Sequence, residues 1–129
     1  MHHVLIVDDE TSIRTALRYG LEDVGLLVEE AADGAEGLQC ILQSRVPLVV
    51  LLDLMMPKMD GISVLDALFK QPMLLQRHRV IVMSAGYNTL PTAIVRSMTQ
   101  HHVRFIHKPF DSIALVALVE ALAQELSPK

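Results

Sequence analysis

An α/β fold with a doubly wound parallel sheet is what this chain of 129 residues predicts. Three observations carry that prediction. Strand and helix signals alternate five times along the sequence, and the polar residues that interrupt the pattern gather where strands end. The hydrophobic fraction is 51% with no tryptophan, so the core must be aliphatic. Five successive strand–helix units imply parallel strands with helices on both faces, because crossovers of one hand place them there. Among doubly wound orders, 2-1-3-4-5 suits a chain whose second strand is its most polar and therefore belongs at an edge.

The elements follow in order. His3-Val4-Leu5-Ile6-Val7 is a short apolar strand that runs into Asp8-Asp9. Ile13, Ala16, Leu17, Leu21 and Val24 recur at helical spacing, with Thr11 or Ser12 placed to cap and Gly25 to stop the helix. Leu27 to Ala31 is the weaker second strand, and Asp33-Gly34 opens a helix whose predicted apolar face is Ala35, Leu38, Ile41 and Leu42. Leu48-Val49-Val50-Leu51-Leu52 reads as a strand buried on both faces that ends at Asp53. Met55-Met56-Pro57 breaks it, since proline cannot donate to a ladder and biases its predecessor away from helix.

Asp60-Gly61 opens the third helix, with Val64, Leu65, Leu68 and Phe69 on its inner face and an end near Pro72. Met73 to His78 reads as a loop or a frayed last turn. Val80-Ile81-Val82-Met83 is the fourth strand, ending in Ser84-Ala85-Gly86. Thr89-Leu90-Pro91 starts a fourth helix, with proline in its first turn and a thin stripe of Ile94, Val95 and Met98. Val103-Arg104-Phe105-Ile106 is the fifth strand, followed by His107-Lys108-Pro109. The fifth helix, capped by Asp111, has the fullest stripe: Leu115, Leu118, Val119, Leu122 and Leu126.

Composition excludes several function classes. The length suits one domain spanning residues 1–129, with a core that needs no staples. No apolar stretch approaches the roughly 20 residues of a membrane helix, and no charged start followed by a long apolar segment marks a signal peptide. One cysteine, Cys40, forbids an internal disulfide and fits a reducing compartment, so a cytoplasmic location is expected. A net charge of −4 gives no basic footprint for nucleic acid or anionic membrane.

The predicted strand order puts strands one and three side by side at the switch point, where such sheets bind ligands. Asp8, Asp9 and Asp53 would converge there, with Ser84 and Lys108 arriving from neighbouring strand ends. Taken alone, Asp53 reads equally well as a turn cap, Lys108 as a solvated lysine and Ser84 as part of an ordinary turn. Their joint placement is the signal. At an effective dielectric near 20, each close carboxylate pair costs on the order of 2–4 kcal/mol. A hard divalent cation offsets that cost, and a few carboxylates with retained waters is the usual way Mg²⁺ is held. Calcium and zinc fit less well, because no loop carries dense oxygen-ligand spacing and His101-His102 are adjacent rather than one turn apart. With the metal in place one carboxylate can act as nucleophile toward a phosphoryl group, whose oxygens then need a cation such as Lys108 and a hydroxyl such as Ser84.

At these residues the sequence resembles the receiver domains of two-component response regulators. The resemblance covers nearly the whole chain and rests on Asp8-Asp9, on Asp53 with Met56-Pro57 and Asp60-Gly61, on Ser84-Ala85, and on Phe105 with Lys108-Pro109-Phe110. It implies a flavodoxin-like (βα)5 sandwich and a phosphoaccepting signalling switch rather than a metabolic enzyme. By the same resemblance Asp53 accepts phosphate from a histidine of a sensor kinase or phosphotransfer protein. Asp8, Asp9, Asp53 and the backbone carbonyl of Met55 would hold Mg²⁺, Ser84 and Lys108 would hold the phosphoryl group, and Phe105 would turn inward as Ser84 moves. Many members have tyrosine at the Phe105 position, so a phenol hydrogen bond is lost here while ring burial remains open. Met55 and Gly86 stand where the family tunes the loss of phosphate to water.

Phosphorylation adds nearly two negative charges and three acceptor oxygens, so strand four, the fourth helix and strand five are the surface expected to respond. The face of the fourth helix, strand five and the fifth helix is the expected contact for an output domain or a homodimer. Two rival readings fit the residues less well. A phosphate-independent interaction module of the same fold has no need of the intact Asp8, Asp9, Asp53 and Lys108. An aspartate-nucleophile phosphatase would want a second aspartate where Met55 stands, and a cap insertion that no connection here is long enough to hold. The last residues, Glu125-Leu126-Ser127-Pro128-Lys129, fit either a stand-alone regulator or a receiver cut from a longer chain. Cys40 and most of the seven methionines read as packing, with Met55, Met56 and Met59 along the site loop.

Overall fold

The computed structural model describes residues 2–56, 59–85 and 90–126. Pro57, Gly86, Thr89 and the Ser127-Pro128-Lys129 end, all used above, lie outside the described residues. The elements run β1 (His3–Val7), α1 (Thr11–Asp23), β2 (Leu27–Ala31), α2 (Gly34–Gln43), β3 (Leu48–Asp53), α3 (Gly61–Phe69), α4 (Pro72–Arg77), β4 (Arg79–Ser84), α5 (Thr92–Gln100), β5 (Arg104–His107) and α6 (Ser112–Glu125). The predicted fourth and fifth helices are therefore α5 and α6. The sheet has the order β2-β1-β3-β4-β5 with every pair parallel, as the strand patterns require.

Because side chains alternate along a strand, each inner strand feeds two cores. Leu5, Val7, Val50, Leu52, Val80 and Val82 pack with α2, α3 and α5 on one face. Val4, Ile6, Val49, Leu51, Ile81 and Met83 pack on the other face with Leu17 and Leu21 of α1 and Leu115, Val119 and Leu122 of α6. The strand predicted to be buried on both faces is buried at all six positions, and the polar second strand is at the edge.

Four local expectations are corrected. Neither Thr11 nor Ser12 caps α1: the N-cap is Glu10, with no side-chain cap bond, and the Glu10 N–H is instead held by the Asp8 carboxylate at 2.9 Å. The buried face of α2 is Gly34, Gly37 and Ile41, while Ala35 and Leu42 face solvent. The helix is rotated because its glycines allow close approach: a Cβ on Gly37 would lie 2.7 Å from Val7 Cγ1, and one on Gly34 would strike the Met59 carbonyl. Met73 to His78 is mostly helical, with Pro72 starting the short α4 and Leu75 joining the core. Pro91 is the N-cap of α5 rather than a residue of its first turn. The thin stripe of that helix is seen directly, as Met98 is its one buried residue.

At the amino ends of the central strands, His78 is buried and its Nδ1 accepts the Leu48 N–H at 2.9 Å. Burial lowers its pKa to about 4, with Arg77 adding in the same direction, so the ring is neutral at pH 7.

Candidate functional site

Register builds the site. Val7 pairs with Leu52 and Asp53 with Met83, so Asp8 and Asp53 emerge side by side where the inner strands end. Ser84 pairs with His107, which brings Lys108 to the same edge, and the Lys108 N–H donates to the Ser84 carbonyl at 3.0 Å. The candidates Asp8, Asp9, Asp53, Met55, Ser84 and Lys108 are thus carried on a strand end or the first residues after it, while Phe105 lies within β5, opposite Val82.

The carboxylates crowd. One oxygen from each of Asp8, Asp9 and Asp53 lies within 4.8 Å of the others, and among the described residues this is the one group of three side chains placed to hold a metal ion. Asp8 and Asp53 are buried while Asp9 is exposed. Lys108 Nζ reaches Asp8 Oδ2 at 3.2 Å and Asp53 Oδ1 at 3.5 Å. Burial pushes the Asp53 carboxyl above the ordinary carboxylate range, and Asp8 adds to the effect. The Met55 N–H, donating to Asp53 Oδ1 at 3.2 Å, and the Lys108 ammonium pull it part of the way back. For Lys108 the largest single influence is burial, which lowers its pKa, but Asp53 and Asp8 together outweigh it and the ammonium is held more firmly than in an ordinary lysine.

Among the described residues, three carboxylates face one ammonium, which leaves an excess of negative charge in a partly buried pocket. Hard oxygen donors with one side open to water, at Asp9, are the donor chemistry that suits Mg²⁺. Ser84 is buried beside this cluster at the strand edge, and Met55 is 75% exposed, with its side chain out in solvent rather than packed. Phe105 is half-buried against the core that includes α5, its ring 6.4 Å from that of the exposed His107.

A family model described as the response regulator receiver domain matches residues 4–120. The chain belongs to that family. Its members are regulatory domains of two-component signalling rather than metabolic enzymes. The DNA-binding transcriptional regulator NtrC of Escherichia coli K12 is 41% identical over 120 residues, which cover 91% of this chain and 24% of NtrC. The transcriptional regulatory protein CseB of Streptomyces coelicolor is 32% identical over 120 residues, covering 93% of this chain and 48% of CseB. This receiver therefore spans a quarter to a half of those relatives. Solved receivers match it end to end. The receiver domain of Francisella response regulator 1452 superposes with a TM-score of 0.82 at 29% identity, covering 98% of this chain and 100% of that one. A CheY-like receiver from Methanospirillum hungatei gives 0.82 at 28%, covering 97% and 96%.

Sequence reasoning missed two groups that shape the receiver's pocket. Arg14 Nη1 donates to the Asp8 carbonyl at 2.6 Å, and the Glu10 N–H holds Asp8 Oδ1. Both act through backbone groups, which leave no trace in residue type. A hint for Arg14 is the acidic pair Glu29-Glu30 on the second strand, of which Glu30 is a partner waiting for a cation.

Proposed function

We propose that this receiver accepts a phosphoryl group on Asp53 from a phosphohistidine of a sensor kinase or phosphotransfer protein, and passes the change to a partner through the α5–β5–α6 face. The observation that carries the reading is the crowding of Asp8, Asp9 and Asp53 with Lys108 bonded to two of them. Asp8, Asp9, Asp53 and the Met55 carbonyl are the groups that would hold Mg²⁺. Bound there, the metal would neutralise charge on the carboxylates and on the phosphoryl oxygens.

The rest is done by side chains. An Asp53 carboxylate oxygen forms the new bond to phosphorus as the bond to the donor imidazole nitrogen breaks, and the imidazole takes up a proton as it leaves. Lys108, already aimed at the pocket, exchanges Asp53 Oδ1 for a phosphoryl oxygen, and the Ser84 hydroxyl donates to another. Phe105 follows Ser84 inward, and the weakly anchored α5 adjusts with it. Water then removes the phosphoryl group, at a rate the exposed Met55 helps set. The domain works in the cytoplasm, alone or joined to an output domain, and itself contacts neither membrane nor nucleic acid.

Intact mass after incubation with acetyl phosphate tests this, with Mg²⁺ or EDTA and beside Asp53→Asn. The expected result is a Mg²⁺-dependent gain of one phosphoryl group that is absent in the variant. No gain by a folded protein that binds Mg²⁺ would instead favour a module that works without phosphate.

A further inference from the structure

We infer that Arg14 is a positioning residue for the acidic pocket, fixing the turn that carries Asp9; this rests on the Mg²⁺ reading above. Every polar group of the buried Asp8 is engaged. Its N–H donates to the Ala31 carbonyl at 3.1 Å, Oδ1 accepts from the Glu10 N–H at 2.9 Å and Oδ2 from Lys108 Nζ at 3.2 Å. The carbonyl is taken by Arg14, six residues further on.

Arg14 does not hang there loosely. Its Nε donates to Glu30 Oε1 at 2.9 Å, Nη2 reaches Thr11 Oγ1 at 3.3 Å, and the side chain is 14% exposed. Glu30 is itself anchored, because its other oxygen accepts from Arg18 Nε at 2.7 Å. One guanidinium thus ties the end of β1 to the start of α1 and to β2. Its planar fork presents several donors in fixed directions, which a point charge cannot do.

The consequence falls on Asp9. The Asp8 carbonyl belongs to the peptide plane that joins Asp8 to Asp9, so pinning that oxygen sets the direction in which Asp9 leaves the strand. Among the described residues the Asp9 carboxylate accepts no hydrogen bond, so its aim comes from the backbone. Groups that orient metal ligands from behind commonly change affinity when removed.

Charge alone predicts the opposite sign. A cation beside three carboxylates competes with a divalent ion, so neutralising Arg14 would tighten Mg²⁺ binding if charge were its role, and weaken it if position is. The test is a Mg²⁺ titration followed by amide NMR, which reports folding in the same spectra, on the full chain and on Arg14→Met, Arg14→Lys and Glu30→Gln. Arg14→Met is expected to bind roughly tenfold more weakly or worse. Arg14→Lys keeps the charge without the fork and falls between, and Glu30→Gln loses part of the affinity by loosening the anchor. Unchanged or tighter binding in folded Arg14→Met overturns the inference. Should that variant not fold, unchanged affinity in both Arg14→Lys and Glu30→Gln overturns it equally. A wild-type chain that itself binds no Mg²⁺ brings down the metal reading, and this inference with it; a defect confined to the comparison of variants touches this inference alone.

Discussion

The two ends of the sheet bury titratable groups for opposite purposes. At the amino ends a single imidazole, His78, is kept neutral and spends its acceptor on the first N–H of β3. At the carboxyl ends Asp8 and Asp53 are buried with Asp9 beside them, and among the described residues Lys108 is the cation that pairs with their side chains. One end leaves a single neutral donor, the buried His78 Nε2–H, without a partner among the described residues; the other leaves a surplus of negative charge that a cation can settle. Both are buried, so burial alone does not mark a functional site. The sign of what is left over does.

Acid should separate the ends most strongly. The folded pKa of His78 is about 4 against an ordinary 6.5. A depressed folded value means full stabilisation above the unfolded pKa and loss as pH falls through the folded one. Between pH 7 and pH 4 this residue should cost the fold about 3 kcal/mol. Urea unfolding at both pH values should show a loss smaller by about that amount in His78→Gln, and equal losses would remove His78 from the account.

At the other end the sign reverses. The Asp53 pKa is raised in the folded state, so its contribution is most favourable at low pH and is lost as pH rises. In EDTA at pH 7, Asp53→Asn should therefore be more stable than wild type, by roughly 1 kcal/mol once relief from Asp8 is set against the lost pull of Lys108. The gain should vanish at low pH, and saturating Mg²⁺ should reverse the ranking by stabilising the wild type selectively. A less stable variant in EDTA would mean that Lys108 already outweighs the repulsion.

The smallest effect sharpens the contrast. Arg79 Nε and Glu125 Oε1 form an ion pair at 3.0 Å near His78, but both side chains are partly in water. Glu125→Gln should change stability by about 0.5 kcal/mol or less, and less still in high salt. A larger change would show that the amino end, too, depends on charge.

Much of this was legible in the sequence because it followed period and position. Continuous apolar runs along β1, β3 and β4 named the core, and the residues at or just past the ends of those strands and of β5 named the pocket. What escaped was whatever depended on close approach or on backbone acceptors. Gly34 and Gly37 turned α2 away from its apparent stripe of Ala35 and Leu42, since a missing side chain advertises nothing. Pro72–Arg77 is too short for helical periodicity to register. Arg14 and His78 act on main-chain groups 6 and 30 residues away, where residue type gives no cue.

The packing of α6 across α1 also bears on the order in which the chain is made. Leu115, Val119 and Leu122 cover the face formed by Val4, Ile6, Val49, Leu51, Ile81 and Met83. A nascent chain that has emerged only as far as Gln100 therefore carries four strands and the helices of the opposite face, yet leaves this one roofed by α1 alone. The last element of the receiver to be made is therefore the one that covers this face and hides it from other chains.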